Sequence, residues 1–440
     1  MCGIVGIWSS NNTSSEKIHY SLNSMSQRIL HRGPDDSGNW IDINFCLGFG
    51  HRRLSIIELS KAGSQPMQSQ NERYVLIFNG EIYNHKIIRD HIVAKDPHKN
   101  FHGESDTETI LESVDTFGLN KTLHMISGMF AFAIWDRKLK NLNLVRDRFG
   151  EKPLYFGWLD NTIFEKRVFV FSSDISSIRA ITKNIPKINN QALNNYFKKG
   201  CVSAPYSIYK DIYQLKPSHL VSINANDEGL IPKDLPDQKR WWDANLKLNT
   251  NNELLNDPSE IVNQLERTLI KAVKEQSCAD VPLGAFLSGG IDSSLIVSLY
   301  QSFSRDPIKT FTIAFPDKKG EIEGFNEASY SKRISEFLKT DHTEITLDQS
   351  EIQRIIPKLS NIYTEPFADS SQIPTFLICK EASNSGLKVA LTGDGGDEIF
   401  GGYNRYIYAP LISKIFGHYP ENIRKIISRI IVNFPISKRG

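Results

Sequence analysis

The sequence lacks several features that mark specialised classes of protein. No stretch approaches the roughly 20 apolar residues that a membrane-spanning helix needs. Positive and negative charges nearly balance, at 52 Lys and Arg against 50 Asp and Glu, so we expect no broad field for nucleic acid or an anionic membrane. The first residues lack the basic region and the long apolar run of a signal peptide. We therefore expect a cytoplasmic protein that binds neither nucleic acid nor membranes.

Cysteine is also scarce, and its spacing excludes two common roles. The five cysteines lie far apart and form no CxxC pair: Cys2, Cys46, Cys201, Cys278 and Cys379. This spacing argues against a zinc site and against a disulfide framework. A reducing compartment suits such a chain, and it would keep Cys2 as a thiol.

What the chain does have is length and an ordinary globular composition. Its 440 residues, of which 40% are hydrophobic and 23% charged, predict two or three domains with ample core. The first half is rich in short apolar segments that predict strands, at 45–57, 73–79, 129–135, 142–145 and 167–172. Antiparallel sheets covered by helices fit this half best, whereas the second half alternates strands with helices. We therefore expect an α/β protein with an α+β first half.

Cys2 is the residue that first suggests chemistry. Removal of Met1 would leave Cys2 with both a thiol and a free α-amine. The thiol is a nucleophile in its thiolate form. An α-amine titrates near about 8 and can take a proton at neutral pH. The alternative is a cysteine that merely begins a first strand, and palmitoylation of Cys2 is a further alternative.

Three groups in the first half could serve this nucleophile. Arg53 lies at a strand end and offers a planar fork for a carboxylate. Asn79 and Gly80 follow a strand and could cradle an oxyanion with a side-chain amide and a bare N–H, although Asn-Gly is also a common turn. Asp106 could accept an ammonium group, or it could simply stabilise the start of a helix.

In combination, these groups resemble the class II glutamine amidotransferases, a branch of the N-terminal nucleophile hydrolases. Their order and spacing match as well as their identity. The matching segments are 2–6 (CGIVG), 31–35 (HRGPD), 53–56 (RLSI), 79–84 (NGEIYN), 105–106 (SD) and 128–132 (GMFAF).

The resemblance implies a fold and a set of roles. The fold would be a four-layer αββα sandwich, in which Cys2 attacks the side-chain amide of glutamine and its α-amine acts as base and then as acid. The Asn79 side chain and the Gly80 N–H would form the oxyanion hole. The glutamine would be bound by Arg53 at its α-carboxylate, by Asp106 and Glu81 at its α-amine, and by the neighbouring Leu54, Ser55, Ile56 and Ile57.

A second constellation begins in the other half of the chain. The predicted strand 281–287 runs into Ser288-Gly289-Gly290 and then into a helix. A strand, a small-residue loop and a helix N-terminus make a cradle for phosphates. The predicted strand 387–391 runs likewise into an acidic, glycine-rich loop at 392–398. Because parallel strands bring such loops to one edge, we expect Asp292 and Asp397 to share Mg²⁺, although a surface acidic loop is the alternative.

The first loop resembles that of the ATP pyrophosphatases, and this half as a whole resembles the synthetase domain of the glutamine-hydrolysing asparagine synthetase family. The resemblance implies that Asp394 lies where the acyl-adenylate forms. It also implies that ATP is bound through its adenine and ribose by Leu287, Ile313, Thr392 and Gly393, and through its phosphates by Ser288, Gly289, Gly290, Asp292 and Ser293.

The sequence departs from this family in two ways. Many members have Glu where this chain has Asp394. The family's later Arg-x-Pro-Phe-Leu-Asp segment and a lysine-bearing stretch are absent after Tyr403, so we expect a truncated synthetase half. The end of the chain, 423–432, predicts an amphipathic basic helix that would pack on the missing residues or, alternatively, lie on a membrane surface.

These observations predict a glutamine-dependent asparagine synthetase that uses ATP and forms asparagine, glutamate, AMP and pyrophosphate. A glutaminase domain would span 2–215, a linker region with some secondary structure of its own would span 216–257, and a synthetase domain would span 258–440. The alternatives are an enzyme for another carboxylate such as a sugar acid, a glutaminase-only fragment, and a non-catalytic binding module. The oligomeric state stays open, a homodimer included.

Overall fold

The computed structural model describes residues 2–9, 13–160, 162–164, 167–225, 234–245, 257–315 and 327–433. Met1 and two parts of the predicted linker region, 226–233 and 246–256, lie outside these described residues. The chain divides into two compact units. The first consists of Met1–Gly284 and Ile345–Ala390, and the second of Ala285–Glu344 and Leu391–Gly440.

Two six-stranded sheets form the framework of the first unit. Their strands are β1 (Gly3–Trp8), β2 (Asp36–Asp42), β3 (Leu47–Arg53), β4 (Met67–Gln68), β5 (Tyr74–Ile82), β6 (Gly128–Asp136), β7 (Asn141–Arg146), β8 (Tyr155–Leu159), β9 (Val168–Ser172), β10 (Ile212–Gln214), β11 (His219–Asn224) and β12 (Lys239–Arg240). The strand orders are β10-β8-β9-β1-β3-β2 and β12-β11-β7-β6-β5-β4. Neighbouring strands run antiparallel, as β1 does beside both β3 and β9.

The helices of both units, in chain order, are α1 (Ser15–Arg28), α2 (His85–Lys95), α3 (Asp106–Phe117), α4 (Leu119–Met125), α5 (Ile175–Arg179), α6 (Asn190–Lys199), α7 (Pro258–Gln276), α8 (Ile291–Phe303), α9 (Ala328–Leu338), α10 (Gln349–Ile355), α11 (Leu359–Ile362), α12 (Gln372–Asn384), α13 (Gly396–Phe400), α14 (Asn404–Phe416) and α15 (Glu421–Asn433). The helix predicted at 423–432 lies within α15. No helix in the described ranges is both long and apolar enough to cross a membrane.

Side-chain alternation along β1 builds the layers of the sandwich. Ile4 and Trp8 point into a core shared by the two sheets, where Trp8 meets Trp135 edge-to-face at 5.3 Å between ring centroids. Val5 and Ile7 point to the other face, where α1 and α5 pack. The outer face of the second sheet is covered in the same way by α2, α3 and α4. The predicted αββα sandwich is therefore confirmed.

The aromatic ring of Phe171, on the neighbouring strand β9, explains a glycine within β1. A Cβ atom on Gly6 would collide with the Phe171 ring. Phe171 is itself fully buried in the shared core. A side chain at position 6 would therefore displace the Phe171 ring in the shared core, close to the residue Cys2.

A four-stranded sheet carries the second constellation of motifs. It consists of β13 (Leu283–Phe286), β14 (Lys309–Ala314), β15 (Asp341–Thr346) and β16 (Val389–Leu391). The strands are parallel, as predicted, and their order is β15-β14-β13-β16. Since β13 and β16 are neighbours, the loops that follow them begin at the same edge of the sheet.

Candidate active site

Cys2 immediately precedes β1 and lines a cleft. Residues far apart in the sequence meet in this cleft because the two sheets face each other. The other predicted site residues that line it are Arg53, Leu54, Ile56, Ile57, Asn79, Gly80, Glu81 and Asp106. Ser55 lies beside them and donates its backbone N–H to Asp35 Oδ2 at 2.9 Å.

The thiol of Cys2 is held close to the end of β3. The Leu54 N–H donates to Cys2 Sγ at 3.4 Å, and Sγ lies 3.7 Å from the Leu54 carbonyl oxygen. Burial raises the pKa of the Cys2 thiol, although the Leu54 N–H and the Arg53 charge act in the opposite direction. A thiol with a raised pKa needs a base when it attacks, and an α-amine on the same residue can supply one.

Asn79 and Gly80 provide two adjacent donors on β5. Asn79 is fully buried, and its Nδ2 lies 3.5 Å from Ser173 Oγ. The same Ser173 hydroxyl accepts the Ile4 N–H at 3.1 Å, which ties Asn79 to the strand that follows Cys2. A Cβ atom on Gly80 would collide with the backbone of β6 at Met129. This arrangement can stabilise an oxyanion next to the thiol.

Glu81 and Asp106 give the cleft an acidic end. The Ile82 N–H donates to Asp106 Oδ2 at 2.9 Å, which fixes this carboxylate at the start of α3. Burial raises the pKa of Asp106 to about 6. Burial, together with the nearby Asp106 charge, raises the pKa of Glu81 to about 8, and Lys152 acts in the opposite direction. Two carboxyl groups that lose solvation on burial attract an ammonium ligand.

Arg53, like Lys152, places a positively charged group in the lining of the cleft. Its side chain is buried against the carbonyl oxygens of the loop that follows β3. The guanidinium donates to Ser60 O at 2.9 Å, to Ile57 O at 3.4 Å and also to Glu58 O. A guanidinium has five N–H groups, so this arrangement leaves donors for a carboxylate. The cleft thus combines a cation and two carboxyl groups, the complement of an α-amino acid.

The loop after β13 forms a compact turn at the start of α8. The Gly290 N–H donates to Ser288 Oγ at 3.2 Å, and the hydroxyls of Ser288 and Ser293 lie 2.9 Å apart. Gly289 has a φ of +87°, a left-handed backbone that favours glycine. A Cβ atom there would also lie 2.8 Å from Tyr330 Cβ. A small-residue turn that leads into a helix N-terminus is the arrangement that a phosphate site requires.

The loop after β16 packs directly on this turn. A Cβ atom on Gly393 would lie 2.7 Å from the Ser293 nitrogen, and one on Gly396 would collide with the Asp292 carboxylate. The Thr392 hydroxyl donates to Asp394 Oδ2 at 3.0 Å. The two loops thus meet at one candidate site in the second unit, since they follow neighbouring strands.

Three further predicted residues of this site are placed by the same elements. Leu287 is fully buried, and its N–H donates to Phe311 O at 2.9 Å. Ile313 lies on β14. Asp397 lies in the first turn of α13. Within the described residues, no group of three or more His, Cys, Asp or Glu side chains could hold a metal by itself.

Three residues that contribute to the first cleft were not among the predicted site residues. Arg32 Nε donates to the Cys2 carbonyl oxygen at 3.2 Å, and its HRGPD motif was the available signal. Lys152 lines the cleft, and Ser173 holds Asn79. The positions of Lys152 and Ser173 in the sequence give no sign that they lie near Cys2. Pairing of strands within the sheets brings them there.

Comparison with known proteins gives consistent results for both halves. The family model described as "Glutamine amidotransferase domain" matches residues 1–242. The family model described as "Asparagine synthase" matches residues 264–436.

Individual relatives match nearly the whole chain. "Asparagine synthetase [glutamine-hydrolyzing] 1" of Bacillus subtilis is 32% identical, over 100% of this chain and 65% of its own length. "Putative asparagine synthetase [glutamine-hydrolyzing] 2" of Methanocaldococcus jannaschii is 34% identical, over 92% of this chain and 76% of its own length. A putative asparagine synthetase of Mycobacterium bovis is 32% identical, over 94% of this chain and 61% of its own length. These matches confirm the resemblance, and the chain belongs to the glutamine-hydrolysing asparagine synthetase family.

Proposed function

We propose that this chain hydrolyses glutamine at Cys2 and uses the ammonia for an ATP-dependent amidation of aspartate. The observation that supports the proposal most strongly is the composition of the first cleft. A thiol, two adjacent oxyanion donors, a guanidinium and two carboxyl groups line the same space. The domain limits at 215 and 258 stay predictions, and β11 lies within the predicted linker region.

In the first reaction, Cys2 attacks the side-chain amide carbon of glutamine once Met1 has been removed. The α-amine of Cys2 takes the thiol proton and then gives a proton to the leaving ammonia. Asn79 and the Gly80 N–H stabilise the tetrahedral oxyanion. Water then attacks the glutamyl thioester, which releases glutamate and restores the thiol.

In the second reaction, a carboxylate oxygen of aspartate attacks the α-phosphate of ATP, and pyrophosphate leaves. Ammonia then attacks the acyl carbon, and AMP leaves as asparagine forms. The Ser288–Ser293 turn would hold the phosphates, whereas Leu287, Ile313, Thr392 and Gly393 would contact the adenosine part. Asp394 would lie beside the acyl-adenylate.

The residues of the second site fit a magnesium ion that arrives with ATP. Mg²⁺ in nucleotide sites is held by one or two carboxylates together with substrate phosphates and water. Asp292 stands at the start of α8, in contact with the loop that leads into Asp397. These two carboxylates would hold the ion, which neutralises phosphate charge during the displacement.

The Michaelis constant for glutamine is expected to fall as pH rises from about 5 to about 8. The α-ammonium of glutamine binds ionised carboxylates, and the pKa values of Asp106 and Glu81 lie near about 6 and about 8. Protonation of Asp106 below pH 6 therefore weakens binding, and ionisation of Glu81 near pH 8 strengthens it. Initial rates of glutamate release across this range measure the effect. Glu81→Gln should remove the upper step and keep the lower one, so a KM that does not depend on pH would contradict this assignment.

Asp292→Ala is expected to weaken the binding of Mg-ATP by at least about tenfold, the effect of losing roughly 1.4 kcal/mol. Titration calorimetry with ATP, with and without Mg²⁺, measures it. The wild-type chain should bind ATP less tightly without Mg²⁺ than with it. In the variant, the affinity for ATP should be the same with and without Mg²⁺. Asp348→Ala is a matched control, because Asp348 contacts Ser350 at the start of α10. Equal affinity in Asp292→Ala and the wild type would exclude Asp292 from the site.

The complete reaction can be tested with glutamine labelled with ¹⁵N at the side-chain amide. Incubation with ATP, Mg²⁺ and aspartate should give labelled asparagine, with one pyrophosphate for each product molecule. Release of glutamate without asparagine would contradict the amidation of aspartate. Pyrophosphate release with another carboxylic acid, such as a sugar acid, would identify a different acceptor.

A further inference from the structure

We propose that Asp280 and Lys388, which lie far along the chain from the glutamine cleft, are positioning residues for that cleft. They hold the segment 53–58, which contributes Arg53, Leu54, Ile56 and Ile57 to the cleft lining. The inference rests on the proposed glutaminase function. It adds that the substrate site is completed by residues outside 2–215.

Asp280 is bonded to this segment twice. Its backbone N–H donates to Ile56 O at 2.9 Å. Its carboxylate Oδ2 accepts the Glu58 N–H at 2.8 Å. Asp280 thus fixes the backbone of Ile56 and Glu58, the two residues that flank Ile57. Ile57 itself lines the cleft. Asp280 and the segment that it holds both lie in the first unit, although 222 residues separate Asp280 from Glu58.

Lys388 holds the other part of the segment through Asp35. Lys388 Nζ lies 2.6 Å from Asp35 Oδ2, and the same oxygen accepts the Ser55 N–H at 2.9 Å. The Asp35 N–H in turn donates to Arg53 O at 3.0 Å. Lys388 thus neutralises the Asp35 carboxylate that binds Ser55, while the backbone N–H of Asp35 binds Arg53.

The conformation of Glu58 shows why such anchors are needed. Glu58 has a φ of +59°, in the left-handed region that is unfavourable for a non-glycine residue. Its carbonyl oxygen accepts a bond from the Arg53 guanidinium. Its side chain accepts the N–H groups of Ser60 at 3.1 Å and Glu104 at 2.8 Å. A strained residue that sets the position of Arg53 is thus held in place partly by Asp280.

Loss of these anchors should therefore move Arg53 more than it moves the thiol. Without the acceptor at Asp280, Glu58 can relax to a favourable φ, and its carbonyl oxygen then leaves the guanidinium. The oxyanion donors Asn79 and Gly80 lie on β5, inside a sheet, and do not depend on this loop. The expected defect is weak binding of the amino-acid head group with nearly intact bond cleavage.

The test uses the full chain with Asp280→Ala, Lys388→Met and the double variant. We expect the KM for glutamine to rise about threefold in each single variant and about tenfold in the double variant. The kcat for glutamate release should stay within about threefold of the wild-type value. Asp280→Asn keeps an oxygen that can accept the Glu58 N–H, so it should restore the KM.

Two reagents that modify Cys2 separate positioning from general damage. Iodoacetamide lacks an amino-acid head group, so its reaction rate should change by no more than about threefold, through the contact of the Leu54 N–H with Cys2 Sγ. A glutamine-like electrophile with an α-carboxylate should react about tenfold more slowly in the double variant. A matched control is the pair Asp348→Ala and Lys271→Met, which removes an exposed carboxylate and an exposed lysine.

The outcomes distinguish this inference from the proposed function. An unchanged KM in the double variant of an active chain would overturn the inference, as would an equal KM rise in the control pair. Equal slowing with both reagents would also overturn it, because that result indicates general damage to the site. A wild-type chain that releases no glutamate and reacts with neither reagent would contradict the proposed function itself.

Discussion

Replacement of Cys2 by alanine is expected to lower the rate of glutamate release from glutamine by at least about 10⁴-fold, because the nucleophile is lost. The ammonia-dependent formation of pyrophosphate, measured with ATP, Mg²⁺, aspartate and ammonium salt, should not change. The two assays, run on the same preparation, therefore distinguish loss of the Cys2 thiol from damage to the second site.

The other cysteines provide the control for this prediction. Cys201 is exposed and forms no disulfide within the described residues. Cys201→Ala should therefore keep both activities. Glutamate release by Cys2→Ala at a rate close to that of the wild type would contradict the assignment of Cys2. Loss of the ammonia-dependent reaction as well would indicate damage to the whole chain.

Asn79→Ala is expected to lower the kcat for glutamine hydrolysis by about 10²- to 10³-fold, with little change in KM. The Asn79 amide is fully buried and held by Ser173, so it is already placed before charge develops on the substrate oxygen. A donor that acts mainly on the oxyanion stabilises the transition state more than the bound substrate. Steady-state rates of glutamate release give both constants.

A second asparagine serves as the control for this experiment. Asn71 donates to Asp115 in an exposed turn that is separate from the cleft, so Asn71→Ala should leave the kcat unchanged. A large rise in KM with an unchanged kcat in Asn79→Ala would contradict the oxyanion role. That result would mean that Asn79 binds the substrate before reaction.

The pattern of apolar residues predicts the central strands of the sandwich, but it does not reveal several others, among them β2 and β8. β2 (DSGNWID) lies at the edge of its sheet, with no fully buried position, so its sequence shows no clear apolar alternation. β8 (YFGWL) is buried at all five positions, and a short continuous apolar run does not distinguish a strand from other buried segments. Both strands are defined by pairing with partners that lie elsewhere in the chain.

The same distinction applies to the candidate site. Cys2, Arg53, Asn79 and Asp106 could be predicted as a group because each belongs to a motif whose residue types fit one reaction. The contribution of Ser173 could not be predicted, because it follows from the pairing of β9 with β1.

The positioning residues Asp280 and Lys388 lie even further in sequence from Glu58 and Asp35, the residues that they hold. Asp280 and Glu58 are 222 residues apart, and each is unremarkable in its local segment. Only the folded chain brings them to 2.8 Å. Motifs thus identify the groups that act on substrate, whereas the residues that position them depend on tertiary structure.

The most direct test of the glutaminase assignment is a mass measurement on the intact chain after treatment with a glutamine-like electrophile. This assignment predicts a chain that has lost Met1 and carries a single adduct on Cys2, and it predicts that excess glutamine prevents the reaction. A chain without Met1 that gains no adduct at Cys2, or that gains one regardless of glutamine, would contradict it.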